Sequence, residues 1–162
     1  MTVTPAARVL SALRSRGWTL GVAESLTGGS VCAELVSVPG ASDVLLGGVV
    51  AYSTPVKHTL LGVDDELLAQ HGPVHSGVAL QMAQGVRRAV RVDGRAADVG
   101  ISTTGIAGPD SPDGQPVGTV HLGLVTPEGT WTRELHLDGD RAHIRDESVT
   151  AVLSALLDVI GE

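Results

Sequence analysis

Residues 18–36 read WTLGVAESLTGGSVCAELV. The first six are apolar or β-favouring and predict a strand, Trp18 to Ala23. Val31 to Val36 continues as a helix, so Glu24 to Ser30 reads as a strand-to-helix turn carrying a serine, a threonine and the pair Gly28-Gly29. Such turns leave backbone N–H groups without intrahelical partners and attract anions or developing negative charge. This reading sets the fold class, because a strand leading directly into a helix is the opening of a βαβ unit with parallel strands.

Working outward, the alternation continues. Residues 1–17 form an amphipathic helix with Pro5 in its first turn, and the run VLLGGVVAYS at 44–53 reads as a buried strand. Short helical pieces follow at 56–61 and 64–71. Ser76 is placed as the N-cap of a longer helix whose stripe is Val78, Met82, Val86, Ala89 and Val90. Asp98 to Thr103 is a strand, and the loop TGIAGPDSPDGQP leads to strands 117–125 and 130–137, paired across Thr126-Pro127-Glu128-Gly129. A final helix spans 141–160. The expectation is one domain over 1–162, a three-layer α/β/α sandwich with a mixed, mostly parallel sheet. Ligands in that architecture bind beyond the carboxyl ends of parallel strands, where AESLTGG, AYSTPVK and TTGIAGPD all fall. If the three converge, they form one pocket.

Composition narrows the function. Asp and Glu outnumber Lys and Arg by 18 to 11, giving a formal charge of −7, and the aromatics are one Tyr and two Trp with no Phe. Direct nucleic-acid binding needs cations for phosphates and stacking platforms for bases, so none is expected. The longest strongly apolar run is far short of the ~20 residues of a membrane span, and the N-terminus lacks a secretory pattern, so a cytoplasmic protein without membrane contact is expected. A single cysteine, Cys32, leaves no intrachain disulfide. The six histidines have no metal-ligand spacing, and no phosphate loop, dinucleotide fingerprint or H-E-x-x-H is present. Metal binding is not expected, and the missing fingerprints give no support to P-loop or Rossmann cofactor chemistry. The apolar content leaves room for a symmetric homodimer.

Lys57 is the only lysine. Held neutral by burial, a lysine can act as a general base, which arginine cannot. Lys57 would take the proton of Ser25, Ser25 would attack an acyl or amide carbon, and the N–H groups of Thr27, Gly28 and Gly29 would cradle the oxyanion. Tyr52 would hydrogen-bond the same pair. The same residues also fit a helix cap, a surface charge and a half-buried strand residue. In STTGIAGPD, Thr104 can position a polar group, while Gly105 and Gly108 permit close approach of a ring or phosphate.

The segments VAESLTGG, GGVVAYSTPVKHTLLGV, QMAQGVRR, TTGIAGP, PVGTVHLGL and GDRAHIR occur in the order and spacing of the CinA C-terminal domain family, which includes the nicotinamide-nucleotide amidohydrolases, and the chain resembles its stand-alone form. The resemblance implies an α/β/α fold and hydrolysis of the carboxamide of nicotinamide mononucleotide to nicotinate mononucleotide and ammonia. It implies Ser25 as nucleophile, Lys57 as base, and Tyr52 and Thr104 as supporting groups. Arg141 and Arg145 match family positions and are candidates for the substrate phosphate. The chain departs from the family pattern at Thr54, at Gly72-Pro73-Val74-His75 and at Gln115, where a lysine is common, and its loop 110–115 is more acidic. Two alternatives remain at this stage: a pyridine-nucleotide-binding module without turnover, and an interaction protein in competence or DNA-damage responses.

Overall fold

The computed structural model describes residues 2–162. Its elements are α1 (Pro5–Arg16), β1 (Leu20–Glu24), α2 (Ser30–Val36), a 3-10 turn (Ala41–Asp43), β2 (Leu45–Val50), α3 (Thr54–Leu61), α4 (Asp65–His71), α5 (Ser76–Ala89), β3 (Val99–Gly105), β4 (Thr119–Thr126), β5 (Gly129–His136) and α6 (Arg141–Val159). The sheet order is β2-β1-β3-β4-β5. β1 pairs in parallel with β2 and β3, and β3-β4 and β4-β5 are antiparallel, so four of the five strands run the same way. One face of the sheet packs with α1, α2 and α6 around Leu10, Leu13, Val22, Ile101, Leu122 and Leu153, and the other with α3, α4 and α5 around Leu61, Val78, Met82 and Val86. These are the three expected layers.

The order 2-1-3 means that the chain leaves β1 for one side of the sheet and returns on the other. The crevice between the carboxyl ends of β1 and β3 is therefore a topological switch point, where open α/β sheets bind ligands. α5 can lie close over this part of the sheet because Gly100 and Gly123 have no side chains: a Cβ at either would overlap the backbone of Ala83 or Ala79.

Two sequence expectations are corrected. The 44–53 run is not a buried strand but contains the edge strand β2, half-buried at Leu45–Gly47 and Val49 and exposed at Gly48 and Val50 (48%), with only the flanking Val44 and Ala51 fully buried. Its apolar composition satisfies a one-sided edge as well as a central strand, and only the strand order distinguishes them. The cap of α5 is His75, whose side chain accepts from Gly77 N–H, and Ser76 is the first helical residue. No helix among the described residues is long and apolar enough to cross a membrane.

Candidate active site

The three segments meet. A cavity of about 520 Å³ at the carboxyl ends of β1, β2 and β3 is lined by Ser25 and Leu26, by Tyr52, Thr54 and Lys57, and by Thr104 to Gly108; Pro73, Val74, Asp110, Asp113 and Arg141 complete its rim.

The turn after β1 is organised by a residue to which sequence reasoning assigned no role. Glu24 is fully buried, and its carboxylate accepts from the N–H groups of Gly29 (3.1 Å), Val31 (2.9 Å) and Cys32 (3.0 Å). It thus caps α2 from the preceding strand, since the N-cap position itself is Gly29, with φ +107° and no side chain. The carboxylate at the positive end of the helix is favourable on electrostatic grounds as well. The signal was present as an acid at the end of an apolar strand, five residues before a glycine-headed helix.

This arrangement corrects the expected oxyanion cradle. Gly29 N–H is held by Glu24, and Gly28 N–H donates to Ser25 O (3.1 Å). Thr27 is fully buried with its hydroxyl 2.8 Å from that of Thr103, and neither Thr27, Gly28 nor Gly29 lines the cavity. Leu26 does line it, and its N–H has no acceptor among the described residues. Ser25 is not the helix cap, since Glu24 performs that task. Instead Ser25 N–H donates to Thr103 O across the β1-β3 crevice (3.1 Å), which holds the side chain at the cavity floor.

Lys57 reaches that floor from α3. It is 1% exposed, and its Nζ lies 2.9 Å from Ser25 Oγ, 2.6 Å from Ala51 O and 3.3 Å from Tyr52 O. No carboxylate pairs with it among the described residues, and burial lowers its ammonium from 10.5 to about 8. Nζ donates to all three oxygens, which satisfies the three N–H groups of the ammonium; once the proton is lost, two N–H groups remain for the carbonyls and a lone pair for the serine hydroxyl. Cys32 is no rival nucleophile. Burial, then the Glu24 carboxylate, raises its thiol to about 12.

Tyr52 takes a different place from the one expected. Its carbonyl, not its phenol, meets Lys57, while the ring is 63% exposed and its hydroxyl accepts from Arg141 at 3.3 Å. Thr104 is buried in the cavity wall and donates to Pro73 O (2.7 Å). Gly105 and Gly108 line the cavity as expected of small residues. The two arginines separate. Arg141 is at the rim, bonded to Gly108 O (2.6 Å), whereas Arg145 lies behind the serine turn and donates to Leu26 O (2.9 Å) and Thr27 O (3.4 Å). Arg145 therefore braces the turn instead of facing the cavity. Among the described residues no group of three or more His, Cys, Asp or Glu is placed to hold a metal ion.

The family model of the CinA C-terminal domain matches residues 3–160. The chain belongs to the CinA C-terminal domain family. A CinA-like protein of Frankia casuarinae is 48% identical over 145 residues, covering 90% of this chain and 32% of the relative, and one of Anaeromyxobacter dehalogenans is 47% identical over 150 residues, 91% and 35%. This chain thus spans about a third of the length of these curated CinA relatives. Among solved structures, competence damage-inducible protein A of Klebsiella pneumoniae superposes with a TM-score of 0.90 at 33% identity (98% and 96% of the two chains), and the competence/damage inducible protein CihA of Agrobacterium tumefaciens with 0.88 at 31% (99% of each). The CinA fold is therefore the one described above, with the crevice at its switch point.

Proposed function

We propose that this protein is a Ser–Lys amidohydrolase acting on the carboxamide of nicotinamide mononucleotide, a small-molecule substrate, without metal or cofactor. The observation that carries the proposal is the 2.9 Å contact between Ser25 Oγ and a fully buried Lys57 Nζ that has no carboxylate partner. The cavity size suits a mononucleotide, since ligand pockets run from about 300 to 1,000 Å³.

In the first half-reaction the Ser25 hydroxyl passes its proton to the neutral Lys57 amine as Oγ bonds to the carboxamide carbon. Negative charge develops on the amide oxygen, and Leu26 N–H, the amide after the nucleophile, is assigned as its donor. The resulting Lys57 ammonium protonates the departing nitrogen, the C–N bond breaks, and ammonia leaves an acyl ester on Ser25. Water then attacks the ester with its proton taken by Lys57, the Lys57 ammonium returns a proton to Ser25 Oγ as the acyl–oxygen bond breaks, and the product is the pyridine carboxylate. Ala51 O and Tyr52 O stabilise the ammonium whenever it forms. Arg141 is the rim cation suited to the substrate phosphate, opposed by Asp110 and Asp113.

The test is ammonia release from nicotinamide mononucleotide. Turnover by wild type and its loss in Ser25→Ala and Lys57→Ala support the proposal; full activity in both variants overturns the mechanism. Tight calorimetric binding with no product would instead favour a pyridine-nucleotide-binding module without turnover.

A further inference from the structure

One part of the cavity wall is the connection between α4 and α5. Pro73 and Val74 line the cavity, and both of their carbonyls hold other parts of it: Pro73 O accepts from Thr104 Oγ1 at 2.7 Å and Val74 O from Gln115 Nε2 at 2.9 Å. Gln115 Nε2 also donates to Asp113 Oδ2 at 3.1 Å, so Val74 and the acidic rim share one side chain. This short wall is pinned at each end by a histidine. His71 is the last residue of α4, His75 is the cap of α5, and their rings stack with centroids 4.2 Å apart and planes 20° from parallel.

The cap is chemically specific. His75 Nδ1 accepts from Gly77 N–H at 3.0 Å, and an imidazole nitrogen accepts only while it carries no proton. Protonated His75 would direct Nδ1–H at another N–H, add positive charge at the positive end of the α5 dipole, and place a cation against the stacked His71 ring. The other groups around it offer little compensation. His121 comes from β4, opposite Thr104 in the sheet, with Nδ1 buried and without a partner. Burial lowers its imidazole below the ordinary histidine value, Glu134 opposes that shift, and His75 and His136 reinforce it. Glu134 of β5 already pairs with His136 at 3.1 Å. On α4, Asp65 contacts His58 and Glu66 contacts Gln70, and Asp64 caps α4 itself.

We infer that His75 is a pH-sensitive positioning residue: its neutral imidazole holds the Pro73-Val74 wall in its binding geometry, and protonation releases the wall and weakens substrate binding. The functional half rests on the cavity being the substrate site, while the structural half does not. The inference is separate from Lys57, which governs proton transfer and not the wall.

Amide hydrogen exchange of the unliganded protein at pH 7.5 and 5.5, corrected for intrinsic rates, tests the structural half without any substrate. Protection at Gly77 and Ala79, whose N–H groups are held by His75 Nδ1 and His75 O, is expected to fall about fivefold on acidification, the weight of one helix cap, and to be independent of pH in His75→Ser, whose hydroxyl caps without titrating. His75→Asn serves as a second non-titrating cap should the serine variant fold poorly. Equal pH dependence in wild type and both variants overturns the inference. The second arm compares KM for nicotinamide mononucleotide over the same range, where wild type is expected to rise several-fold more than His75→Ser. A pH-dependent wall with unchanged KM ratios overturns the binding role. Absence of turnover in wild type contradicts the amidohydrolase reading alone, and the same comparison is then made with calorimetric Kd values.

Discussion

Raising the pH from 6 to 9 is the perturbation that separates a neutral-lysine base from other readings of Ser25 and Lys57. With its ordinary value of 10.5, a lysine at pH 7 is neutral in about one molecule in 3,000; at about 8, the fraction is about one in eleven. Burial of Lys57 therefore multiplies the available base roughly 300-fold at pH 7. kcat/KM for ammonia release is expected to rise about tenfold per pH unit below 8 and level off above it, about ninetyfold in all between pH 6 and 9. Lys57→Arg, which keeps the charge and cannot deprotonate, is expected to be inactive throughout. The same burial has a stability signature. Below pH 8 folded and unfolded chains both hold the proton, and the fold bears the whole cost of a buried ammonium. Between 8 and 10.5 the unfolded chain binds the proton and the folded chain does not, so stability rises with pH. Relative to Lys57→Met, wild type is expected to gain about 3 kcal/mol across that interval in urea melts. A flat kcat/KM profile, or an inflection near pH 6 to 7 together with a pH-independent stability difference, refutes the neutral-lysine reasoning.

Three further outcomes follow from particular contacts. Glu24→Ala removes three charge-assisted bonds to the head of α2 and is expected to lower stability by about 3 kcal/mol while reducing kcat, with Glu24→Gln intermediate; a melting temperature equal to wild type in both variants would contradict the capping role. Gly85→Ala places a Cβ on the Leu61 backbone, forcing α3 away from α5 and carrying Lys57 with it, so a loss of about 2 kcal/mol and a lower kcat are expected, checked by urea melts and ammonia release. Arg141→Ala is expected to raise KM for nicotinamide mononucleotide by about tenfold with little change in kcat, whereas Arg145→Ala should mainly lower kcat by loosening the serine turn; identical kinetic effects would deny the division between rim and brace.

Much of the molecule is local and therefore legible. The strand-turn-helix at 18–36, the Pro5 start of α1, the hairpin at 126–129 and the stripe on α5 each depend on residues within one or two turns of each other. Periodicity and turn chemistry report such patterns directly. The position of the serine at a strand's carboxyl end and the singularity of Lys57 were also visible. Their proximity was not: 32 residues separate them, and only the packing of α3 beside the β1 end turns a lone lysine into a buried amine 2.9 Å from Ser25.

The sequence by itself determined the alternation of strands and helices, and with it the kind of sheet and the end at which sheets of that kind bind ligands. Strand order, and what each polar group is used for, were decided by the tertiary structure. The 44–53 run became an edge because the chain crosses from β1 to β2 on one side and returns to β3 on the other. Glu24 became a cap, Arg145 a brace and Tyr52 a rim residue because a buried donor or acceptor takes the nearest partner that folding provides, and sequence spacing does not encode that distance. The same physical rule removed Gly28 and Gly29 from the expected anion cradle and left the Leu26 N–H beside the serine without an acceptor among the described residues.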